Sequence, residues 1–357
     1  MDLFTQKTRV IYVGQSHTLI EWLCLKSDVE LLAIFVPRTH YQRSAWVSLS
    51  VHYQIKLYWA DHTQEIEEYL STWRTQIDLG ICAYFKKLSL PVIHSPRLGF
   101  INIHPGILPN YPGRLPSMEA IYAGEKEAGV SIHWMNERLD QGDLIDIRFF
   151  PVLYQDGPAE LEQRAMQQAI YCLQEHWQDI CQGQAARFAQ KQSAIHKSPR
   201  WRLSPSPQSS LREIWQSIKA YQPFGGLPFL LNHSSTQNSQ DRQLILCIMH
   251  ACIDYEPSVQ EEESTHLEYP YHIKKASPTL SQSIFTRSKP THISVADDLY
   301  VLSSHSSGWQ LLFYYRLMQY NPLDIKHQLT EVTESEILAE TALLYPISDD
   351  LKPYFPF

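Results

Sequence analysis

Residues 99–113 read GFINIHPGILPNYPG, in which an apolar run ends in an Asn and a His two positions apart. Side chains of an extended chain repeat with period two, so Asn102 and His104 are expected on one face. A neutral amide can donate to an oxygen as negative charge develops there, and an imidazole, which titrates near neutral pH, can carry a proton. The pair therefore fits oxyanion stabilisation with proton transfer. The structural alternative is a strand end whose polar groups hold a turn.

The elements that would position this pair alternate between strand and helix patterns over the first 150 residues. Such alternation is typical of a mostly parallel sheet covered on both faces, in which ligands bind beyond the carboxyl ends of the strands. We therefore predict an α/β, Rossmann-like sheet with residues 102–104 at its ligand-binding edge. The predicted strands are 10–13, 31–36, 55–59, 77–82, 99–103 and 130–135, with helices after Ser16, as N-cap, and over 65–73.

Composition and missing motifs exclude several classes of function. A formal charge of −8 is unlike the strongly basic domain of a dedicated nucleic-acid-binding protein. The turn after the first strand, VGQSHTL, lacks the G-x-G-x-x-G of a dinucleotide site, so we expect no NAD(P). No apolar run approaches the ~20 residues of a membrane span and the start lacks a signal-peptide pattern, which favours the cytoplasm. We expect no metal, because zinc-ligand spacing is missing among the cysteines Cys24, Cys82, Cys172, Cys181, Cys247 and Cys252.

The remaining sequence predicts a second domain. A long amphipathic helix is predicted over 159–180, and residues 186–210 are polar and rich in Pro and Ser, as in a linker. A further helix over 211–221 precedes three strand-like runs, at 244–253, 291–302 and 309–318. The predicted domains are therefore a catalytic domain over 1–185, a linker over 186–210 and a smaller β-rich domain over 211–357, for which an OB-like form is one candidate. The linker is basic, with Arg187, Lys191, Lys197, Arg200 and Arg202.

A second motif, in GVSIHWMNERLDQGDLID at residues 129–146, completes a pattern. Asn102-Ile103-His104, the loop 105–109 with Gly113, and Leu139-Asp140-Gln141-Gly142-Asp143 resemble the folate-dependent formyltransferase superfamily in order and spacing. That superfamily shows N-x-H, then S-L-L-P-x-x-x-G, G-V-T-I and L-D-T-G-D. Its members include methionyl-tRNA, glycinamide ribonucleotide and nucleotide-sugar formyltransferases, and formyltetrahydrofolate hydrolase. The resemblance is close over 99–146, extends over 8–185, and is faint in the second domain, at IWQSIKAYQPFGG.

The resemblance implies a role for each motif residue. Asn102 would donate to the oxyanion, His104 would shuttle the proton, and Asp140 would orient the imidazole and stabilise its charged form. The family grips the pterin of its folate with backbone atoms of the loop after the fourth strand, which maps to the region from Ala83 to Leu88.

Residues around these motifs are open to two interpretations. His133 and Trp134 could line an acceptor pocket or serve only in packing, and Asp143 is expected to brace the Asp140 loop through backbone hydrogen bonds. Two positions depart from the family pattern: Gly106 stands where Ser is common, and Pro112 where Arg is common. Arg114 is one candidate to replace that charge.

The leading functional hypothesis is transfer of the formyl group of 10-formyltetrahydrofolate to a primary amine of a small molecule, most plausibly a nucleotide-linked amino sugar. Methionyl-tRNA formyltransfer is the nearest alternative, favoured by chain length, the second domain and the basic linker. Formyltetrahydrofolate hydrolysis and non-catalytic folate binding are less favoured. The oligomeric state is not predicted.

Overall fold

A computed structural model describes residues 7–38, 43–153, 156–191 and 211–221, together with seven strands between residues 227 and 346. Chain contacts divide it into two compact units, which are described separately. The first comprises Met1–Ser117, Lys126–Tyr154 and Ala159–Lys197, and the second comprises Met118–Glu125, Gln155–Pro158 and Ser198–Phe357.

The first unit is built on a seven-stranded sheet in the order β3-β2-β1-β4-β5-β6-β7. The first five strands pair in parallel, whereas β6 runs antiparallel to both β5 and β7. The strands are β1 (Thr8–Gly14), β2 (Val29–Val36), β3 (Lys56–Trp59), β4 (Leu79–Ala83), β5 (Phe100–His104), β6 (Glu127–Trp134) and β7 (Leu144–Pro151).

Helices connect these strands and cover the sheet. The hydroxyl of Ser16 accepts a hydrogen bond from the Leu19 amide at 3.3 Å, so Ser16 caps α1 as predicted. Ile11, Val13, Phe35 and Phe100 are among the buried residues of a core that fixes the central strands. The helices are α1 (His17–Leu25), α2 (Arg43–His52), α3 (Thr63–Ser71), α4 (Leu90–Ile93), α5 (Pro116–Ala123), which spans both units, and α6 (Pro158–Gln182).

The predicted Rossmann-like, mostly parallel sheet is confirmed, and the differences are three helices and one strand that the sequence pattern did not predict. The pattern did not indicate α2, α4, α5 or β7. Helix α2 buries only Trp46 and Leu49 among its residues, so its amphipathic pattern is weak. Strand β7 contains Asp146 and Arg148, which form a salt bridge of 2.8 Å with each other. Because of these two charged residues, its sequence resembles a polar segment more than a strand.

The second unit contains helix α7 (Leu211–Tyr221), as predicted, and a second seven-stranded sheet. All its strand pairs are antiparallel, and β11 pairs with both β10 and β12, so six strands form a closed circuit of pairings. Residues 291–299 of one predicted strand lie outside the described residues, and the OB-like form stays a prediction. The strands are β8 (Leu227–Asn232), β9 (Gln243–Tyr255), β10 (Tyr271–Lys275), β11 (Tyr300–Ser303), β12 (Trp309–Tyr320), β13 (Thr330–Glu331) and β14 (Ala342–Pro346).

The segment predicted to be a linker begins as part of the first unit. Phe188 and Leu144 exchange backbone hydrogen bonds of 2.9 and 2.8 Å, so the chain after α6 lies along the edge strand β7. Lys197, Arg200 and Arg202 lie outside the described residues, and the domain bounds at 185 and 210 stay a prediction. Within the described part of the chain, α6 and the other helices are too short or too polar to cross a membrane.

Candidate active site

A cavity of about 440 Å³ opens at the carboxyl ends of β1, β4 and β5, where the fold predicts a ligand site. It brings the three predicted catalytic residues together with loops that are distant in sequence. Its polar lining includes Gln15, Asp61, Lys86, Lys87, Asn102, His104, Arg114, His133, Asn136, Arg138 and Asp140.

Asn102 is held by His133, its direct partner across the antiparallel β5–β6 pair. His133 Nδ1 lies 3.0 Å from the Trp134 carbonyl oxygen, which can only accept, so Nδ1 is the donor of this hydrogen bond. The Nε2 atom of His133 can then accept from the Asn102 side-chain nitrogen at 3.1 Å. The second amide hydrogen of Asn102 points to Asp140 Oδ1 at 3.4 Å. His133 therefore orients the amide that faces the cavity.

His104 ends β5 on the same face as Asn102, and it is buried. Its Nε2 atom lies 2.6 Å from the Tyr111 carbonyl oxygen, so Nε2 carries a proton and donates it to that carbonyl. Its Nδ1 atom lies 3.8 Å from Asp140 Oδ1. Nδ1 is therefore the ring nitrogen that can take up or release a proton beside the carboxylate.

Asp140 has a φ of 55°, a left-handed backbone conformation that Asp tolerates better than most non-glycine residues. This conformation turns the carboxylate into the cluster. Oδ2 accepts the Gly113 amide at 2.8 Å, and Oδ1 lies 3.8 Å from His133 Nε2. Gly142 is required nearby, because a Cβ there would lie 1.6 Å from the Trp134 carbonyl oxygen.

Burial and the neighbouring charges set the protonation of this cluster. Burial lowers the pKa of His104 below its ordinary value, against the opposing effects of the Asp140 charge and the Tyr111 carbonyl. Burial acts to raise the pKa of Asp140, but the neighbouring His133 and His104 side chains and the hydrogen bond from the Gly113 amide outweigh it, and the net pKa is lowered. Near neutral pH the cluster therefore holds a neutral imidazole beside an ionised carboxylate.

The loop after β5 is tied down by Ser131, whose importance the sequence pattern did not single out. Its hydroxyl donates to the Gly106 carbonyl at 2.6 Å and accepts the Leu108 amide at 3.0 Å. A Cβ on Gly106 would lie 2.8 Å from His104 Nε2 and 2.7 Å from the Tyr111 carbonyl oxygen. The departure from Ser at this position therefore gives the room in which Tyr111 binds the imidazole.

The suspected pterin-binding region, Ala83 to Leu88, borders the same cavity. Tyr84 has a φ of 57°, and its carbonyl accepts the Gln15 side chain at 3.2 Å, which fixes the loop to the end of β1. All residues from Tyr84 to Leu88 line the cavity, whereas Ala83 is buried at the end of β4. The loop thus offers backbone groups, the ring of Phe85 and two exposed lysines to one ligand.

The other candidate residues divide between cavity and core. His133 and Arg114 line the cavity, but Trp134 is buried and does not, because period two places it on the opposite face from His133. Its ring lies 4.2 Å from the guanidinium of Arg187. Asp143 contributes its backbone carbonyl, which accepts the Trp134 amide at 2.8 Å and braces the Asp140 loop as expected.

One group of potential metal ligands lies elsewhere among the described residues. Single ligand atoms of Asp146, Cys172 and His176 lie within 4.8 Å of one another. The carboxylate oxygen of Asp146 already accepts from His176 Nε2 at 3.1 Å and from Arg148 Nε at 2.9 Å. The guanidinium, which also contacts Glu175, makes this group a salt-bridge network. The prediction that no metal is bound stays a prediction.

Known proteins share this fold. The chain is similar to WlaRD, "a sugar 3N-formyl transferase in the presence of dTdp and 5-N-Formyl-THF", with 16% identity, a TM-score of 0.56, and coverage of 87% of this chain and 98% of that chain. A Helicobacter canadensis N-formyltransferase complexed with folinic acid and dTDP-3-aminofucose has 14% identity, a TM-score of 0.56, and coverage of 87% and 100%. A Francisella tularensis 4-N formyltransferase has 18% identity, a TM-score of 0.50, and coverage of 60% and 87%.

The similarity to these structures is a similarity of fold, and a family model adds a sequence match over part of the chain. Residues 47–175 match the family model described as formyl transferase. That range contains Asn102, His104 and Asp140 and all of strands β3 to β7. This match identifies residues 47–175 as a formyl transferase domain, and the fold of the chain is that of the sugar N-formyltransferase structures above.

Proposed function

We propose that the cavity binds 10-formyltetrahydrofolate together with a nucleotide-linked amino sugar, and that the formyl group passes to the sugar's amine. The observation that carries the proposal is the cluster of half-buried Asn102 with buried His104 and Asp140, at the wall of a cavity that four Lys and Arg residues also line.

His104 is the proposed proton carrier. The attacking amine must lose a proton and the departing nitrogen must gain one, which is the task of a group that titrates near neutral pH. Because Nε2 donates to Tyr111, the proton is exchanged at Nδ1, and the carboxylate of Asp140 at 3.8 Å stabilises the imidazolium that forms.

Asn102 is the proposed donor to the oxygen on which negative charge develops. Its amide hydrogens point to His133 at 3.1 Å and to Asp140 at 3.4 Å. The longer contact is the weaker of the two. We expect the substrate oxygen to replace that contact, while His133 keeps the amide in its orientation. A fixed donor of this kind acts without transferring a proton.

The loop from Tyr84 to Leu88 is the proposed folate site. The co-substrate, when bound, supplies the formyl carbon. The flat ring of a pterin fits backbone groups flanked by Phe85 and Leu88, and the carboxylates of folate suit the ammonium groups of Lys86 and Lys87. Two structurally similar proteins were crystallised with 5-N-formyl-THF or folinic acid, which supports this choice.

The acceptor is inferred from two arginines that also line the cavity. The exposed side chains of Arg114 and Arg138 border the cavity, and guanidinium groups pair well with phosphate oxygens. The same two proteins were crystallised with dTDP or dTDP-3-aminofucose, which supports a nucleotide-linked acceptor. The overall charge of −8 favours a small acceptor over an RNA.

The test is an acceptor panel with purified protein and 10-formyltetrahydrofolate. We expect formylation of a dTDP-linked amino sugar, much weaker formylation of the same sugar without its nucleotide, and little formylation of methionyl-tRNA. Arg114→Gln should raise KM for the nucleotide-linked sugar, whereas the control Arg74→Gln, on an exposed residue outside the cavity lining, should not. Efficient formylation of methionyl-tRNA that falls steeply with added salt would instead support the tRNA alternative.

A further inference from the structure

The segment at residues 185–190, which we call the strap, follows α6 and lies against the catalytic half of the sheet. It begins where the Gln184 and Ala185 amides donate to the Asp179 carbonyl at 2.7 and 3.0 Å. It then forms an antiparallel bridge to β7 at Leu144, next to the Asp140 loop. This short run is therefore anchored at both of its ends within the first unit.

The strap ends in Gln190, a half-buried residue that reaches the loop carrying Asp140. The side-chain nitrogen of Gln190 donates to the Asp140 carbonyl at 2.9 Å and to the Gly142 carbonyl at 2.7 Å. A primary amide has two N–H donors, so both bonds form at once. The two carbonyls flank Gln141, so one side chain spans the turn that presents the catalytic carboxylate.

We propose that Gln190 is a positioning residue for formyl transfer, which fixes the Asp140 carboxylate against His104 by clamping the backbone of its loop. This proposal rests on the proposed function for its kinetic consequences. Gln190 is outside the cavity lining, so its proposed effect on catalysis is through Asp140 and not through contact with a substrate.

The clamp acts where the loop has an uncommon conformation. Asp140 has a φ of 55°, which most side chains disfavour, and the neighbouring Gly142 packs against the Trp134 carbonyl with no room for a Cβ. Bonds that hold the two carbonyls stabilise this turn against relaxation to a more common backbone. A relaxed turn would withdraw the Asp140 carboxylate from His104, and from the Gly113 amide that it accepts.

The direct test replaces Gln190 with Met, which keeps the length of the side chain and removes its donors. Gln190→Met should lower kcat about tenfold, the order expected for two lost neutral hydrogen bonds. KM for the folate should stay within about twofold, since the loop at 84–88 is untouched. The acid limb of the kcat profile should move to lower pH, because a more distant Asp140 raises the pKa of His104 less. Gln184→Met, on the exposed glutamine immediately before the strap, is the matched control.

A second measurement needs no substrate. The Gly113 amide, which is bound to Asp140 Oδ2, should exchange its hydrogen faster in Gln190→Met than in wild type or Gln184→Met. If Gln190→Met does not fold, Gln190→Asn keeps the amide with one methylene fewer and should show a smaller change in the same direction.

The outcomes separate the two proposals. Faster Gly113 exchange in an enzyme that formylates no acceptor would support the clamp and count against the proposed function. Unchanged Gly113 exchange, or a kcat loss with an unmoved pH profile, would overturn the positioning role.

Discussion

Replacing Asp140 with Asn tests whether the carboxylate charge, and not only its shape, supports proton transfer. Asn keeps an oxygen that can accept the Gly113 amide, so the loop should hold its conformation. The charge it removes lies 3.8 Å from His104 Nδ1, and both side chains are about 5% exposed or less. With an effective dielectric constant of about 20, two unit charges at that distance attract by about 4 kcal/mol.

That attraction is present only when His104 is protonated, so it stabilises the state formed during proton transfer and not the resting imidazole. Asp140→Asn should therefore lower kcat by up to about 10³, since each ~1.4 kcal/mol is a tenfold change in rate. KM for the folate should change little, because its proposed site is the loop at 84–88.

The pH dependence of kcat should also change in Asp140→Asn, and the direction of the change can be worked out from the pKa of His104. Protonated His104 cannot accept the amine's proton, so kcat falls as the pH drops through the pKa of His104. Burial lowers that pKa below its ordinary value and Asp140 opposes the shift, so Asp140→Asn should move the acid limb to still lower pH. The assay is the kcat profile with 10-formyltetrahydrofolate, together with NMR titration of the His104 ring.

The control is Glu137→Gln, which removes a charge from an exposed residue of the same loop outside the cavity lining. Its kcat should match that of wild type. An Asp140→Asn enzyme with wild-type kcat, or with an acid limb moved to higher pH, would refute the electrostatic role of the carboxylate.

Three further substitutions probe other parts of the cluster, each measured as kcat with the fold checked by circular dichroism. His104→Ala should lose about 10²–10⁴ in rate as general acid–base help is removed, and wild-type turnover would mean that the proton carrier lies elsewhere. Asn102→Ala should cost about 10²–10³, the usual effect of one missing oxyanion donor, and a change in KM alone would contradict that role. Gly106→Ser should lower kcat, because the Cβ of the serine would displace the Tyr111 carbonyl from His104. An unchanged kcat would show that the loop can move to make room for the Cβ without loss of activity.

The sequence was most informative where a local period decides the arrangement. Asn102 and His104 share a face because they stand two apart at the end of a strand, and Ser16 caps α1 because its side chain reaches the helix's own amides. The order of short apolar runs likewise predicted the parallel strands. These features depend on neighbours within a few residues, which a single sequence displays.

What the sequence did not display depends on pairing across the fold. His133 orients Asn102 because β6 runs antiparallel to β5 in one particular register, and a one-residue slip would have placed Trp134 there instead. The sequence pattern does not predict strand β7, because it contains two charged residues, Asp146 and Arg148, whose salt bridge forms only in the folded sheet. Gln190 lies fifty positions from Asp140, in a segment whose composition resembles a linker, so the contact between them leaves no local pattern.

The central claim is that this protein, with both substrates bound in the cavity, transfers a formyl group from a reduced folate to the amine of a nucleotide-linked sugar. The most direct measurement uses 10-formyltetrahydrofolate with an isotope-labelled formyl carbon and follows the products by mass spectrometry. The account predicts that the label appears as an N-formyl group on the dTDP-linked amino sugar, that one tetrahydrofolate is released for each sugar formylated, and that His104→Ala abolishes both. Label recovered as free formate with no formylated sugar, or found on methionyl-tRNA in preference to the sugar, would contradict it.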